Sequence, residues 1–244
     1  FSIPLSSDLF MGSKLIFLRS VIFNLLFLII SAIVGLIFLP CIISKSLTTN
    51  VSHKWAIITI YLLNKICKIE IDIDKTELKK YNNKQVLFAI RHESVLETIL
   101  FLAYFPNIKY VVKKELLYVP FYGLFVWRSG HILINRKARS KTIFFMLRKI
   151  KLCLSKKESV VLFPHGTRVK PNTNIDIKSG IYAIYKHLNI PIVPVYINSG
   201  YVWDRKGLIK RPGKVRITLF DTIKRGHGKK EFLKILNIKL NKYI

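Results

Sequence analysis

His92 and Glu97 stand five residues apart in RHESVLET (Arg91–Thr98), between the apolar run QVLFAI and a second apolar run. A histidine beside a carboxylate is the pair used in general-base chemistry. The acid fixes the imidazole tautomer and stabilises the imidazolium once a proton is taken up. On one continuous helix, five steps of about 100° would leave the two side chains roughly 140° apart, unable to meet. They meet only if His92 lies in the loop before the helix and Glu97 in its first turn. Ser94 supplies that break as an N-cap, and Ser94 and Glu97 have the capping-box spacing, in which the glutamate bonds the serine's backbone N–H. One carboxylate is therefore claimed for two jobs, orienting His92 and closing the cap. The spacing alone does not choose between them.

A second group with chemical capacity is FPHGTR, Phe163 to Arg168. Gly166 lets a backbone approach an anion closely, Thr167 adds a hydroxyl, and Arg168 adds a guanidinium able to bind a phosphate in bidentate fashion. Taken alone, an ordinary glycine turn with a solvated arginine accounts for these letters equally well. Arg136 ends HILINR and Lys113 ends KYVVK, and each alone reads as a surface cation.

These residues need elements to hold them. QVLFAI, KYVVKK, HILINR, SVVLFP, PIVPVYI and KVRITLF read as short strands. Helical stretches from about Val95 to Tyr104, Ser140 to Leu154 and Ser179 to Leu188 alternate with them, and a Lys-rich helix closes the chain. That alternation predicts an α/β fold with a largely parallel sheet flanked by helices. In such sheets the crevice lies where strands end and helices begin, and RHESVLE, NR and HGTR all fall at such ends. After Glu70 long apolar runs give way to short alternating ones. This divides the chain into membrane-anchoring helices over 1–69 and a catalytic domain over 70–244.

The N-terminal part carries a run of twenty residues, Ser20 to Leu39, with Asn24 as its only strongly polar member. As a helix it rises about 30 Å, enough to cross a hydrocarbon core. It is too long for a signal-peptide core and no small-x-small site follows. Spanning and insertion into one leaflet both remain open, since Pro40 ends the run and Lys14, Arg19, Lys45 and Lys54 flank both sides. The segment Trp55 to Ile69 is shorter and carries lysines, which predicts an interfacial position. Phe1 stands where a methionine is usual, and Met11 offers an alternative start.

Composition adds 41 Lys and Arg against 13 Asp and Glu, a formal charge of +28, with part of the lysine excess matching an AT-rich coding sequence. Such a surface seeks polyanions, either nucleic acid or an anionic membrane face. Lys137, Arg139, Lys141, Arg148, Lys149 and Lys151 crowd one region and suit anionic lipid. Cys41, Cys67 and Cys153 show neither disulfide nor metal-ligand spacing and read as packing residues of a reducing compartment.

In this order and at these separations, RHESVLE, GHILINR, FPHGTR and IPIVPVYI resemble the four blocks of the 1-acylglycerol-3-phosphate acyltransferase family, approximately NHxSxxD, GxxFIxR, FPEGTR and VPV. The resemblance covers roughly Val86 to Ile197. The ordered set is specific where no single block is. It implies that His92 is the general base on a glycerol hydroxyl attacking an acyl thioester, with Glu97 orienting it. Arg136, Gly166, Thr167 and Arg168 would hold the acceptor's phosphate, assisted by Lys113. It also implies acyl-CoA or acyl carrier protein as donor, lysophosphatidate as acceptor and phosphatidic acid as product. No cofactor, metal or covalent acyl-enzyme is expected, and no nucleic-acid partner. The expected location is the cytoplasmic face of an inner membrane, against an anionic phospholipid bilayer.

Two positions depart from the family pattern: Glu97 stands for an aspartate, and His165 for the glutamate of FPEGTR. A histidine there adds a group titrating near about pH 6.5, expected to modulate phosphate binding. Three other readings fit part of the sequence. They are acyl transfer to another lyso-lipid such as lyso-ornithine lipid, a non-catalytic acyltransferase scaffold, and a basic nucleic-acid- or membrane-binding protein. The last leaves the apolar run and the ordered motifs unexplained.

Overall fold

The computed structural model of the chain describes residues 6–82, 84–135, 139–173 and 175–242. It opens with helix α1 (Ser6–Ile37). Pro40, which cannot continue a helix, lies in a 3₁₀ turn over Leu39–Ile43, and α2 (Lys45–Cys67) then runs back along α1. Contacts at both ends fix the hairpin: Trp55 Nε1 donates to Ser31 Oγ at 3.0 Å, and Cys67 Sγ lies 3.8 Å from the Arg19 carbonyl.

The remaining elements are β1 (Ile69–Ile73), α3 (Lys75–Tyr81), β2 (Leu87–Ile90), α4 (Leu96–Tyr104), β3 (Lys109–Lys113), α5 (Tyr122–Arg128), β4 (Ile132–Ile134), α6 (Arg139–Ser155), β5 (Val160–Leu162), α7 (Gly180–Leu188), β6 (Ile192–Ile197), β7 (Gly213–Leu219) and α8 (Lys229–Leu240). The strands form one sheet in the order β1-β7-β6-β2-β5-β3-β4, and every pairing is parallel except that of β6 with β7. The largely parallel sheet flanked by helices agrees with the sequence expectation. The strand not anticipated is β1, IEIDI. It is an edge strand paired only with β7, and its Ile69, Ile71 and Ile73 alternate with acids, the pattern of a half-covered strand.

Alternation along β2 assembles two cores. Phe88 and Ile90 face α2 and α4, meeting Leu63, Cys67 and Phe101, while Leu87 and Ala89 face α6, α7 and α8, meeting Ile150, Ile184 and Leu236. Because both faces are covered, β2 and β6 read as unbroken apolar runs, as interior parallel strands do.

The second apolar segment, expected at an interface, packs against the sheet through one face only. Ala56, Leu63 and Cys67 on one face of α2 are fully buried in the sheet's core, while Ile57, Ile58 and Tyr61 on the other face are exposed. α1 is different. Gly12–Ile37 has a mean hydropathy of 2.7, is long and apolar enough to cross a membrane, and has only 17% of its apolar window buried. Its few inward groups grip one loop. Asn24 Nδ2 donates to the Leu208 carbonyl at 2.9 Å and the Lys210 N–H to Ser20 Oγ at 2.9 Å. The Lys210 ammonium bonds Asn24 Oδ1 and sits 4.5 Å above the Trp203 ring. The one strongly polar residue of the run, Asn24, is thus a tether, and with Ser20 it ties α1 to the segment that follows β6. Cys67 and Cys153 are buried, Cys41 is half-buried, and all three are free.

Candidate active site

β2 is wholly buried and ends at Arg91, so the polar residues of RHESVLET emerge at the C-terminal edge of the sheet. The first turn of α4 decides their geometry. Ser94 Oγ accepts the Leu96 N–H at 3.1 Å, while the Ser94 N–H donates to Glu97 Oε1 at 2.9 Å and Oε2 at 3.1 Å. The glutamate half of the expected capping box is formed, but the helix starts at Leu96 with Val95 at the N-cap position and no side-chain cap there, so Ser94 stands one residue earlier than expected. Glu97 is fully buried, and His92 Nδ1 lies 3.0 Å from its Oε2. The two jobs are compatible, because the carboxylate has two oxygens. Oε2 takes the imidazole and shares the Ser94 N–H, and Oε1 takes that N–H more closely, with the Glu93 N–H at 3.2 Å and the Ser199 hydroxyl.

A carboxylate surrounded by donors is an acceptor, so the His92 proton belongs on Nδ1 and the lone pair on Nε2. The imidazole is held from below as well. Its ring stacks on Phe163, with centroids 3.9 Å apart and planes within 20°, and the His92 carbonyl accepts the Val169 N–H at 2.7 Å. The loops after β2 and β5, neighbours in the sheet, are therefore locked to each other.

Arg91 performs that locking from beneath. Fully buried, it donates through Nε to Glu93 Oε1 at 2.7 Å and through Nη2 to the carbonyls of Lys170 (3.1 Å) and Thr173 (2.9 Å). Nη1 reaches Asn241 Oδ1. Glu93 in turn accepts the Gly200 N–H at 3.0 Å, and a Cβ on Gly200 would come within 2.9 Å of the same oxygen. Burial pushes the Glu93 carboxyl above its ordinary pKa, and Arg91 and the Gly200 N–H pull it back. Breaking a buried pair by removing one partner leaves an uncompensated charge, which costs about 3–5 kcal/mol. Arg91→Met is accordingly expected to lower the thermal unfolding midpoint strongly; a midpoint within a degree or two of the parent's would contradict this role.

The anion-binding candidates occupy the same edge. Gly166 adopts φ +70°, open to glycine, and a Cβ there would press to 3.0 Å from Lys178 Nζ. Thr167 is exposed, and partly buried Arg168 holds the Arg205 carbonyl at 3.4 Å. Lys113 ends β3, next to β5, and is exposed. Arg136 lies outside the described residues. Lys178, Phe163, Ser199 and the Arg91–Glu93 pair were not singled out from the sequence. Ser199 and Gly200 follow the strand PIVPVYI, so the rule that located the other loops would have reached them.

His165, expected to modulate phosphate binding, is 1% exposed, and among the described residues neither ring nitrogen has a hydrogen-bond partner. Burial, followed by Arg91 and His92, pushes its pKa down to about 4, which favours the neutral ring. In the unfolded chain it titrates near about 6.5. Between the two values the unfolded state binds more protons, so stability associated with His165 is complete above about pH 6.5 and lost as the pH falls towards 4. His165→Phe is expected to flatten this acid limb: urea midpoints of variant and parent should diverge from pH 7.5 to pH 5, and parallel curves would refute the assignment.

Among the described residues no group of three or more His, Cys, Asp or Glu is arranged to hold a metal ion. Fold and site together define an α/β protein with a carboxylate-oriented histidine, able to take a proton from a hydroxyl, at the strand ends of a parallel sheet rimmed by cations. A family model described as Acyltransferase matches residues 71–198, and the chain belongs to that family. It is similar to the 1-acyl-sn-glycerol-3-phosphate acyltransferases of Pseudomonas aeruginosa (27% identity, covering 69% of this chain and 65% of the relative) and Helicobacter pylori (31%, covering 62% and 64%). The chain thus spans a little under two thirds of the length of these relatives. A crystal structure of the 1-acyl-sn-glycerophosphate (LPA) acyltransferase PlsC from Thermotoga maritima shares the fold, with a TM-score of 0.73 at 16% identity over 92% of this chain and 94% of that one.

Proposed function

We propose that this protein transfers a fatty acyl group from an acyl thioester to the 2-hydroxyl of 1-acyl-sn-glycerol 3-phosphate, forming phosphatidic acid. The observation that carries this reading is the 3.0 Å contact between His92 Nδ1 and Glu97, which leaves Nε2 as a bare base at the strand ends. Nε2 takes the proton of the 2-hydroxyl as its oxygen attacks the thioester carbonyl. The tetrahedral intermediate then collapses with cleavage of the C–S bond, and the imidazolium returns its proton to the departing thiolate. Arg168, with Lys178 over Gly166 and Lys113 beyond, supplies the positive rim on which the acceptor's phosphate would rest. The names of the similar proteins support the same acceptor.

The long exposed apolar helix α1 supports membrane association and a lipid substrate. In this reading the catalytic face lies on the cytoplasmic side of the inner membrane, where acyl-CoA or acyl carrier protein delivers the chain. The test is an acyl-transfer assay with the full chain in membranes, pairing each donor with lysophosphatidate, lysophosphatidylcholine and lyso-ornithine lipid. One charge-assisted hydrogen bond is worth about 1.5–3 kcal/mol, so lysophosphatidate should be preferred over the phosphate-free acceptor by at least about tenfold. Acylation of lyso-ornithine lipid at an equal rate would move the assignment to that acceptor. Transfer to no acceptor would refute the reading.

A further inference from the structure

A cavity of about 320 Å³ opens away from His92, at the opposite end of the sheet. Its floor comes from residues that precede strands, His131 before β4 and Glu158 before β5, whereas His92 and the Gly-Thr-Arg loop follow strands. Strands of three to five residues separate the two ends by about 10–17 Å. This is a separate site.

Three lysines (Lys45, Lys149 and Lys156) line it, with apolar side chains that include the exposed Trp127, Phe145 and Leu152. Lys45 bonds Glu158 at 2.6 Å, and the buried Lys109 stands 3.7 Å from the same oxygen, so one carboxylate already serves two ammonium groups. Among the described residues Lys149 and Lys156 have no carboxylate partner. The C-terminus of α6 favours one cation at Lys156, but not three around one cavity. His131 adds no charge, since burial holds its pKa at about 3. Gly130 makes room for the arrangement: at φ +76°, a Cβ there would stand 3.1 Å from Lys45 Cε.

The surroundings of the cavity indicate what enters it. Trp127 and Phe145 in its wall are 58% and 42% exposed, and Ile43, in the turn just before Lys45, is 84% exposed. Arg128, next to Trp127, donates to the carbonyls of Ile42 and Ile43, fastening α5 to the turn between α1 and α2. Exposed rings beside lysines that outnumber the carboxylates, with Lys149 Nζ 5.6 Å from the Phe145 ring centroid, at the root of a helix of membrane length, have the composition of a bilayer interface. There, rings lie among headgroups and ammonium groups meet phosphates. A free anion would use the lysines and leave the aromatic wall without a role.

We propose that this cavity is a binding site for an anionic glycerophospholipid of the bilayer, its phosphate on Lys149 and Lys156 and its acyl chains over Trp127, Phe145 and Leu152. The test does not depend on acyl transfer. The purified full chain in neutral detergent is titrated with dioctanoyl phosphatidylglycerol while tryptophan fluorescence is followed. The expected result is a saturable change that Trp127→Phe removes. Its Kd should rise at least about tenfold in the double variant Lys149→Glu/Lys156→Glu, consistent with the loss of one charge-assisted contact or more. Dioctanoyl phosphatidylcholine should bind at least as weakly, and Arg168→Ala should change nothing. Both lysines are exposed, so the double variant should keep its unfolding midpoint; if it does not, Lys149→Gln alone should still weaken binding severalfold. The proposal is overturned by equal affinities in variant and parent, or by a signal lost in Arg168→Ala, which would place the lipid at the other end of the sheet. It is also overturned if inorganic phosphate competes as strongly as the lipid, the result expected of a free-anion site.

Discussion

The proposed formation of phosphatidate should fall by about 10²–10⁴-fold in kcat when His92 is replaced by alanine, the range a positioned general base contributes. The imidazole is partly buried, rests on Phe163 and makes its one side-chain hydrogen bond to Glu97. Its removal leaves Glu97 still holding the Ser94 and Glu93 N–H groups and the Ser199 hydroxyl, so the loop should keep its shape. The unfolding midpoint should accordingly move little while KM for lysophosphatidate stays within a few-fold. Steady-state kinetics beside thermal denaturation check both parts. A variant retaining more than about a tenth of the parental kcat would remove His92 from the role of base.

Glu97→Gln should cost both activity and stability. In a buried acid–histidine pair of this kind, exchanging the acid for its amide leaves the geometry intact and drops kcat by about 10⁴, because the histidine is left in the wrong tautomer. Here the amide would donate to Nδ1 and drive the proton onto Nε2, the atom that must be bare. The structural role adds a second loss, because Glu97 accepts from two backbone N–H groups and one hydroxyl in a fully buried place. A neutral amide weakens these charge-assisted bonds and turns one donor towards another, at roughly 2–4 kcal/mol. Glu97→Asp keeps the charge and should retain more activity than Glu97→Gln. The double change His92→Ala/Glu97→Gln should be little slower than His92→Ala, since the two residues act as a unit. Strict multiplicativity of the two losses would separate their roles.

The pair was legible because its requirements are local. Ser94 and Glu97 are three residues apart, the cap they form depends on one turn of backbone, and the apolar run before them announces a buried strand. The same reasoning located Gly166 at a left-handed turn after β5. It stopped short at β1, which it did not read as a strand, and at α2, where one face of an apolar run serves the sheet's core. Lipid and protein interior select the same side chains, so composition cannot distinguish them. In α2 the buried face against the sheet and the exposed Ile57, Ile58 and Tyr61 differ only in which neighbours the fold supplies.

His165 shows the limit most plainly. Its letter specifies an ordinary pKa, but whether it titrates depends on desolvation and on Arg91 and His92 beside it. Ser199 reaches Glu97 across 102 positions of sequence, and Arg91 reaches Asn241 across 150. The sequence alone determined the alternation of strands and helices, the strand ends that carry polar groups and the local cap that parts His92 from its helix, since each depends on backbone periodicity over a few residues. Tertiary structure alone decided that one carboxylate serves both cap and base, that burial favours a neutral His165, that Asn24 tethers the long helix, and that lysines from α2 and α6 share one cavity. These depend on burial and on partners brought together from distant parts of the chain, and short-range pattern carries no record of either.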